Sequence, residues 1–156
     1  MTANGGSLFD ETIQLTNIWH KELMEEFGWD DRHRAYLALR VTLHALRDHL
    51  SVDSAAKLGA QLPMLVRGFY YEGWHPAHKP VKDKTVDSFL AAIENGFRRS
   101  PTADPIDAGS VVTAVLELLD RHLSEGAADH VRESLPKTLR ALWSVGYEVS
   151  PDVVRI

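Results

Sequence analysis

Apolar residues recur along this chain at spacings of three and four. Leu8, Leu15, Trp19, Leu23 and Phe27 follow that rhythm, with Phe9 and Ile13 beside them. Tyr36, Leu39, Leu43, Leu46 and Leu50 repeat it, as do Val112, Leu116, Leu119 and Leu123. Val86, Phe89, Leu90, Ile93 and Phe97 form the counterpart of the first set. Each set draws an apolar stripe down one side of a helix, and such a stripe has to be buried against a neighbour. No stretch alternates polar and apolar residues for long enough to predict a strand. The expected fold is all-α, a helical bundle.

The polar punctuation fits that pattern. Asp30 or Asp31 suits the N-cap of the second helix, and Asp104 followed by Pro105 offers a cap and a first-turn proline for a later one. Ser51 and Ser124 directly follow Leu50 and Leu123, where a hydroxyl can accept a backbone N–H and start a short helix. Pro63 and Pro136 end those helices and begin the next, because proline lacks the N–H and suits a first turn.

The chain also resembles itself. Residues 35–74 moved forward by 73 positions lie on residues 108–147 without a gap, and eleven of the 40 pairs are identical. They include Leu43/Leu116, Leu46/Leu119, His49/His122, Ser51/Ser124, Pro63/Pro136, Arg67/Arg140 and Gly73/Gly146. The matches fall on apolar, cap and turn positions, which specify a fold, so duplication is the inference. The expected organisation is one domain of two tandem pseudo-repeats, each of about four helices, two long and then two short. Pseudo-repeat one spans 8–75, a linker 76–83, pseudo-repeat two 84–147 and a tail 148–156. Residues 1–6 and the tail are expected to be poorly anchored.

These residues carry a family resemblance as well. The run from Leu39 to Leu50 (LRVTLHALRDHL), then that from Ala60 to Trp74 (AQLPMLVRGFYYEGW), resembles the bacterial family called domain of unknown function 2267. Leu118 to Ser124 with Ser134 to Trp143 is similar to that family's repeat. The likeness covers roughly residues 8–147. It implies a small helical bacterial protein and brings no reaction, cofactor or partner, so no functional residues are carried over.

Composition narrows the classes of function. A chain of 156 residues can bury a core without covalent staples. It has no cysteine, which excludes disulfides and thiolate chemistry and fits the cytosol. The first seven residues lack the basic cluster and apolar stretch of a signal peptide. The most apolar window, Val111 to Leu119, is too short to span a bilayer, so no membrane role is expected. Net charge is −5, neither half is basic, and the only short basic run is Arg98-Arg99. Nucleic-acid binding, which needs a concentrated positive face, is therefore not expected.

No phosphate-cradling glycine loop, nucleophile elbow or paired zinc histidines is present, so no active site and no cofactor are expected. The eight histidines are the group to weigh, since neutral imidazole ligates transition metals. His75 and His78, with Glu72, are the candidate metal residues. Against them stand Gly73 and Pro76, which break the helix that would align Glu72 with His75, and a turn with exposed imidazoles is the plainer expectation. His49 and His122 sit near helix C-termini and read as structural, because their charged neighbours are reversed (Arg47-Asp48 against Asp120-Arg121). Arg67 and Arg140 read either as an anion anchor or as arginines on the carbonyl end of a neighbouring helix. Phe69, Tyr70, Tyr71 and Trp74 crowd four aromatics into six residues. Tyr71 and Trp74, with Arg67, are the candidate interaction surface. The expected function is a non-catalytic helical module acting through association with protein, itself included. The alternative is a metal or small-ligand binder at His75 and His78.

Overall fold

The computed structural model describes residues 4–100 and 105–144. Within them lie α1 (Asn4–Phe27), α2 (Arg32–His49), α3 (Val52–Gln61), α4 (Met64–Tyr71), a 3-10 turn (Pro76–His78), α5 (Val86–Arg98), α6 (Ala108–His122), α7 (Glu125–Ser134) and α8 (Lys137–Ser144). No strand occurs among the described residues.

The caps explain the boundaries. Asp31 accepts the N–H of His33 and starts α2. Ser51 accepts the N–H of Ser54 for α3, and Ser124 that of Ala127 for α7. Pro63 and Lys137 stand at the starts of α4 and α8, where Pro63 and Pro136 accept backbone N–H groups from the first turn. One expected start is corrected. Pro105 is outside any helix, and α6 begins at Ala108 with Asp107 in the cap position. The Asp107 carboxylate accepts the Ser110 hydroxyl and no backbone N–H, so the helix starts three residues later without a side-chain cap. Asp104 itself lies outside the described residues, as do Gly146, Tyr147 and the tail. Of residues 1–6, residues 4–6 belong to α1.

α2 runs through the centre. Ala35, Ala38, Leu39, Leu43, Leu46 and Leu50 are sealed from solvent, and α1, α3, α4, α5 and α6 all pack on α2. Burying each leucine contributes roughly 1.5–3 kcal/mol. Val112, Val115, Leu116, Leu118 and Leu119 do the same for α6. The packing has a regular form. Exchanging α1 with α5, α2 with α6, α3 with α7 and α4 with α8 turns α1·α2 into α5·α6, α1·α4 into α5·α8, and α2·α5 into α1·α6. The pairs α2·α6 and α3·α7 map onto themselves.

The first apolar stripe is buried only in part. Trp19 and Leu23 are in the core, but Leu8, Phe9 and Ile13 are 58%, 59% and 49% exposed. The start of α1 extends past the helices that cover the rest of it.

Candidate functional site

α4 ends at Tyr71, and Gly73 takes a left-handed conformation (φ 73°) that only glycine adopts without strain. Glu72 and His75 therefore do not share a helical face. The Glu72 carboxylate pairs with Arg40 at 3.2 Å. His75 precedes the 3-10 turn, His78 ends it, and both are exposed. Among the described residues, no three His, Asp or Glu side chains are grouped to hold a metal ion.

The aromatic cluster is mostly packing. Tyr70 is fully buried and donates its hydroxyl to the Ala55 carbonyl at 2.6 Å, and burial pushes its phenol above the ordinary range. Tyr71 lies over α3, where Gly59 has no Cβ to obstruct the ring. It rests on Tyr70 and Trp74, which leaves Tyr71 and Trp74 half-buried. Arg67 turns toward α3, with Nε donating to Gly59 and Nη2 to Leu62, both at 2.9 Å. Arg140 donates likewise to Glu133 and Leu135 at the end of α7. Each guanidinium satisfies carbonyls that the helix end leaves free.

His49 and His122 each lie against an aromatic ring, the first edge-on and the second face-on. The His49 ring meets Phe89 at 5.1 Å, and the His122 ring stacks on Trp19 at 5.1 Å. The two ring pairs set Phe89 of α5 in correspondence with Trp19 of α1. His122 is also bonded to Glu22 at 3.0 Å, and Arg121 reaches the same carboxylate. Burial works against the charged carboxylate, yet bonds from His122 and Arg121 hold Glu22 below its usual range. Burial holds His20 and His44 below the ordinary imidazole range. His44 contacts the Phe69 carbonyl at 2.7 Å. Where α3 meets α7, Ser54 donates to Ser134 at 3.0 Å and lies 3.3 Å from His130. That hydroxyl faces another hydroxyl and is buried, so the pair is a packed polar contact.

A groove of about 630 Å³ with chemical character lies between α2 and α5. Leu37, Arg40, Val41, His44, Arg47 and Asp48 line it from α2, Glu72 and Gly73 from the end of α4, and Ala92, Asn95, Gly96 and Arg99 from α5. The two helices approach closely there, since a Cβ at Gly96 would come within 2.6 Å of Val41 Cγ1. Arg47 is 3% exposed and committed to the fold. It bonds Asp48 at 2.8 Å and donates to the carbonyls of Tyr70 at 2.7 Å and Glu72 at 2.8 Å.

Comparison with known proteins places a family on this structure. Residues 16–142, most of the chain, match the family described as Uncharacterized conserved protein (DUF2267). The chain belongs to the DUF2267 family. No curated protein matches it. The DUF2267 match includes the whole α2–α5 groove and stops short of Leu8, Phe9 and Ile13. Sequence reasoning did not single out Arg40, Ala92 or Gly96, and named Arg99 only within the basic run Arg98-Arg99, because these residues form no motif along the chain. Arg40 stands where the second half has Thr113, one of several charge differences between the halves beside His44 against Glu117 and Arg47 against Asp120.

Proposed function

We propose that this DUF2267 protein is a non-catalytic helical module that acts by binding protein, in the first instance a second copy of itself. The observation that supports this is an apolar patch at one end of the bundle. The backbone N–H of Leu65 donates to Thr12 Oγ1 at 3.0 Å, fixing the start of α4 against α1. Leu8, Phe9 and Ile13 on α1, and Met64 and Leu65 on α4, lie within about one turn of that bond and are all 48% exposed or more. Contiguous apolar surface of this kind marks association sites, and a patch that is apolar on both copies is complementary to itself. Sedimentation velocity across a wide concentration range tests the reading. The wild-type chain is expected to self-associate, and Phe9→Ser with Leu65→Ser to return it to monomer. A wild-type protein that stays monomeric at the highest concentration contradicts it.

We also infer that the bundle is two tandem pseudo-repeats, over 8–75 and 84–147. The support is the 73-residue offset, kept by both ends of α3 against α7 and of α4 against α8, together with the exchange rule of the packing. The cytosol is the compartment expected from a chain without cysteine. The metal reading is not favoured, since Arg40 engages Glu72 and no third donor joins His75 and His78 among the described residues.

A further inference from the structure

We propose that the groove between α2 and α5 binds a small organic anion, a carboxylate or phosphate, with its acid group on Arg40 and Arg99 and its body on the apolar floor. A groove of about 630 Å³ is in the range of sites for metabolite-sized ligands. Leu37, Val41, Ala45 and Ala92 supply the apolar part of its lining. The charges around it are unequally engaged. Arg47 and Asp48 neutralise each other, and Lys79 adds a longer contact to Asp48 at 3.8 Å. Arg40 has one partner, the exposed Glu72 carboxylate, and its Nε is buried with no acceptor among the described residues. Arg99 is exposed, with no ion-pair partner among the described residues. Guanidinium forks bind carboxylate and phosphate oxygens with matching geometry.

The corresponding crossing of α6 with α1 is built the other way. Thr113 and Glu117 stand 73 positions after Arg40 and His44. The ring pairs give α1 and α5 an offset of 70, which sets Glu22 and Glu26 against Ala92 and Gly96, and Trp29 against Arg99. There the Glu22 carboxylate bridges to α6 through Arg121 and His122. Packing alone does not require a positive, open crossing, because the other crossing is acidic and tied across by Glu22. Ala92 keeps the α5 wall low beside the close approach of Gly96 to Val41, and an outside acid group takes the place of an internal one.

The test is an NMR titration of the full, isotopically labelled chain with phenyl phosphate, benzoate and inorganic phosphate in turn. Saturable shifts are expected at Arg40, Asn95, Gly96 and Arg99, with an aromatic anion binding more tightly than inorganic phosphate. Comparing phenyl phosphate with benzoate tells which acid group the site prefers. Arg99→Gln is expected to weaken binding roughly tenfold, the loss of one charge-assisted contact. Ala92→Glu, at an exposed position, is expected to abolish binding while the chain keeps its helical circular dichroism. Glu72→Gln removes the carboxylate that competes for Arg40, and is expected to tighten binding by roughly threefold, in line with a surface ion pair. Absence of saturable shifts with all three probes overturns the proposal. So do shifts that persist unchanged in Arg99→Gln and folded Ala92→Glu.

Discussion

The ends of α2 and α6, paired by the 73-residue offset in sequence, hold their neighbouring helices with opposite charges. At the end of α2, the buried Arg47 donates to the carbonyls of Tyr70 and Glu72, closing the last turn of α4. At the end of α6, Asp120 stands at that position and accepts the indole N–H of Trp143 on α8 at 2.9 Å, with Arg132 on its other oxygen at 2.8 Å. Tyr70 and Trp143 are themselves 73 residues apart. Tyr70 turns its hydroxyl to α3, which leaves its backbone to Arg47, whereas Trp143 offers its ring nitrogen to Asp120. The contrast teaches that this fold depends on matched apolar residues and on satisfied polar groups, whatever their sign. Charge differs at positions paired by the 73-residue offset, and the groove between α2 and α5 sets Arg40, Arg47 and Arg99 against Asp48 and Glu72.

Substitutions at these two positions give the largest expected effect. Arg47→Met removes the donor from two carbonyls and leaves Asp48 with the distant Lys79, at a cost of about 3 kcal/mol. Asp120→Asn keeps an acceptor for Trp143 and loses a part-exposed ion pair with Arg132, at a cost of about 1 kcal/mol or less. Urea denaturation of the two variants measures the gap, and equal losses would break the contrast.

A smaller effect separates α1 from α5. His20 is buried on α1, and the offset of 70 puts Leu90 at its place on α5. Burial, then the charge of Arg32, lowers the His20 pKa below 6.5, and burial does the same for His44. The unfolded chain therefore takes up protons first. Stability is expected to be level above about pH 6.5, to fall as pH drops below it, and to level again once the folded histidines protonate. His20→Leu is expected to reduce that slope without removing it, since His44 remains. Thermal melts across this range check both statements.

Much of the fold was legible along the chain because helices announce themselves locally. Ser51, Ser124, Pro63 and Pro136 mark boundaries through bonds within four residues, and the structure uses all four as expected. The start of α6 differs from the expected one because Pro105 lies outside any helix and Asp107, whose side chain bonds Ser110, takes the cap position. Leu8, Phe9 and Ile13 looked like core because periodicity shows which face is apolar, and not how far a neighbouring helix extends to cover it. The groove was illegible for a related reason. Arg40 and Arg99 are far apart in sequence and border one groove only because α2 crosses α5, where Gly96 lets Val41 come close. The metal candidates came from proximity along the chain, and the left-handed turn at Gly73 separates them.

The central claim is that one four-helix unit is used twice about an approximate twofold axis. Ser54 and Ser134 touch across α3 and α7, and adding 73 to one and subtracting it from the other yields Ala127 and Gln61. The chain has no cysteine to confuse a crosslinking experiment. Ser54→Cys with Ser134→Cys, and separately Gln61→Cys with Ala127→Cys, should both close a disulfide under mild oxidation, which requires the paired Cβ atoms to lie about 4 Å apart. Closure of both pairs at similar rates, read by mass spectrometry on the folded protein, is the result expected. Ready closure of the first pair with none of the second would contradict the twofold arrangement.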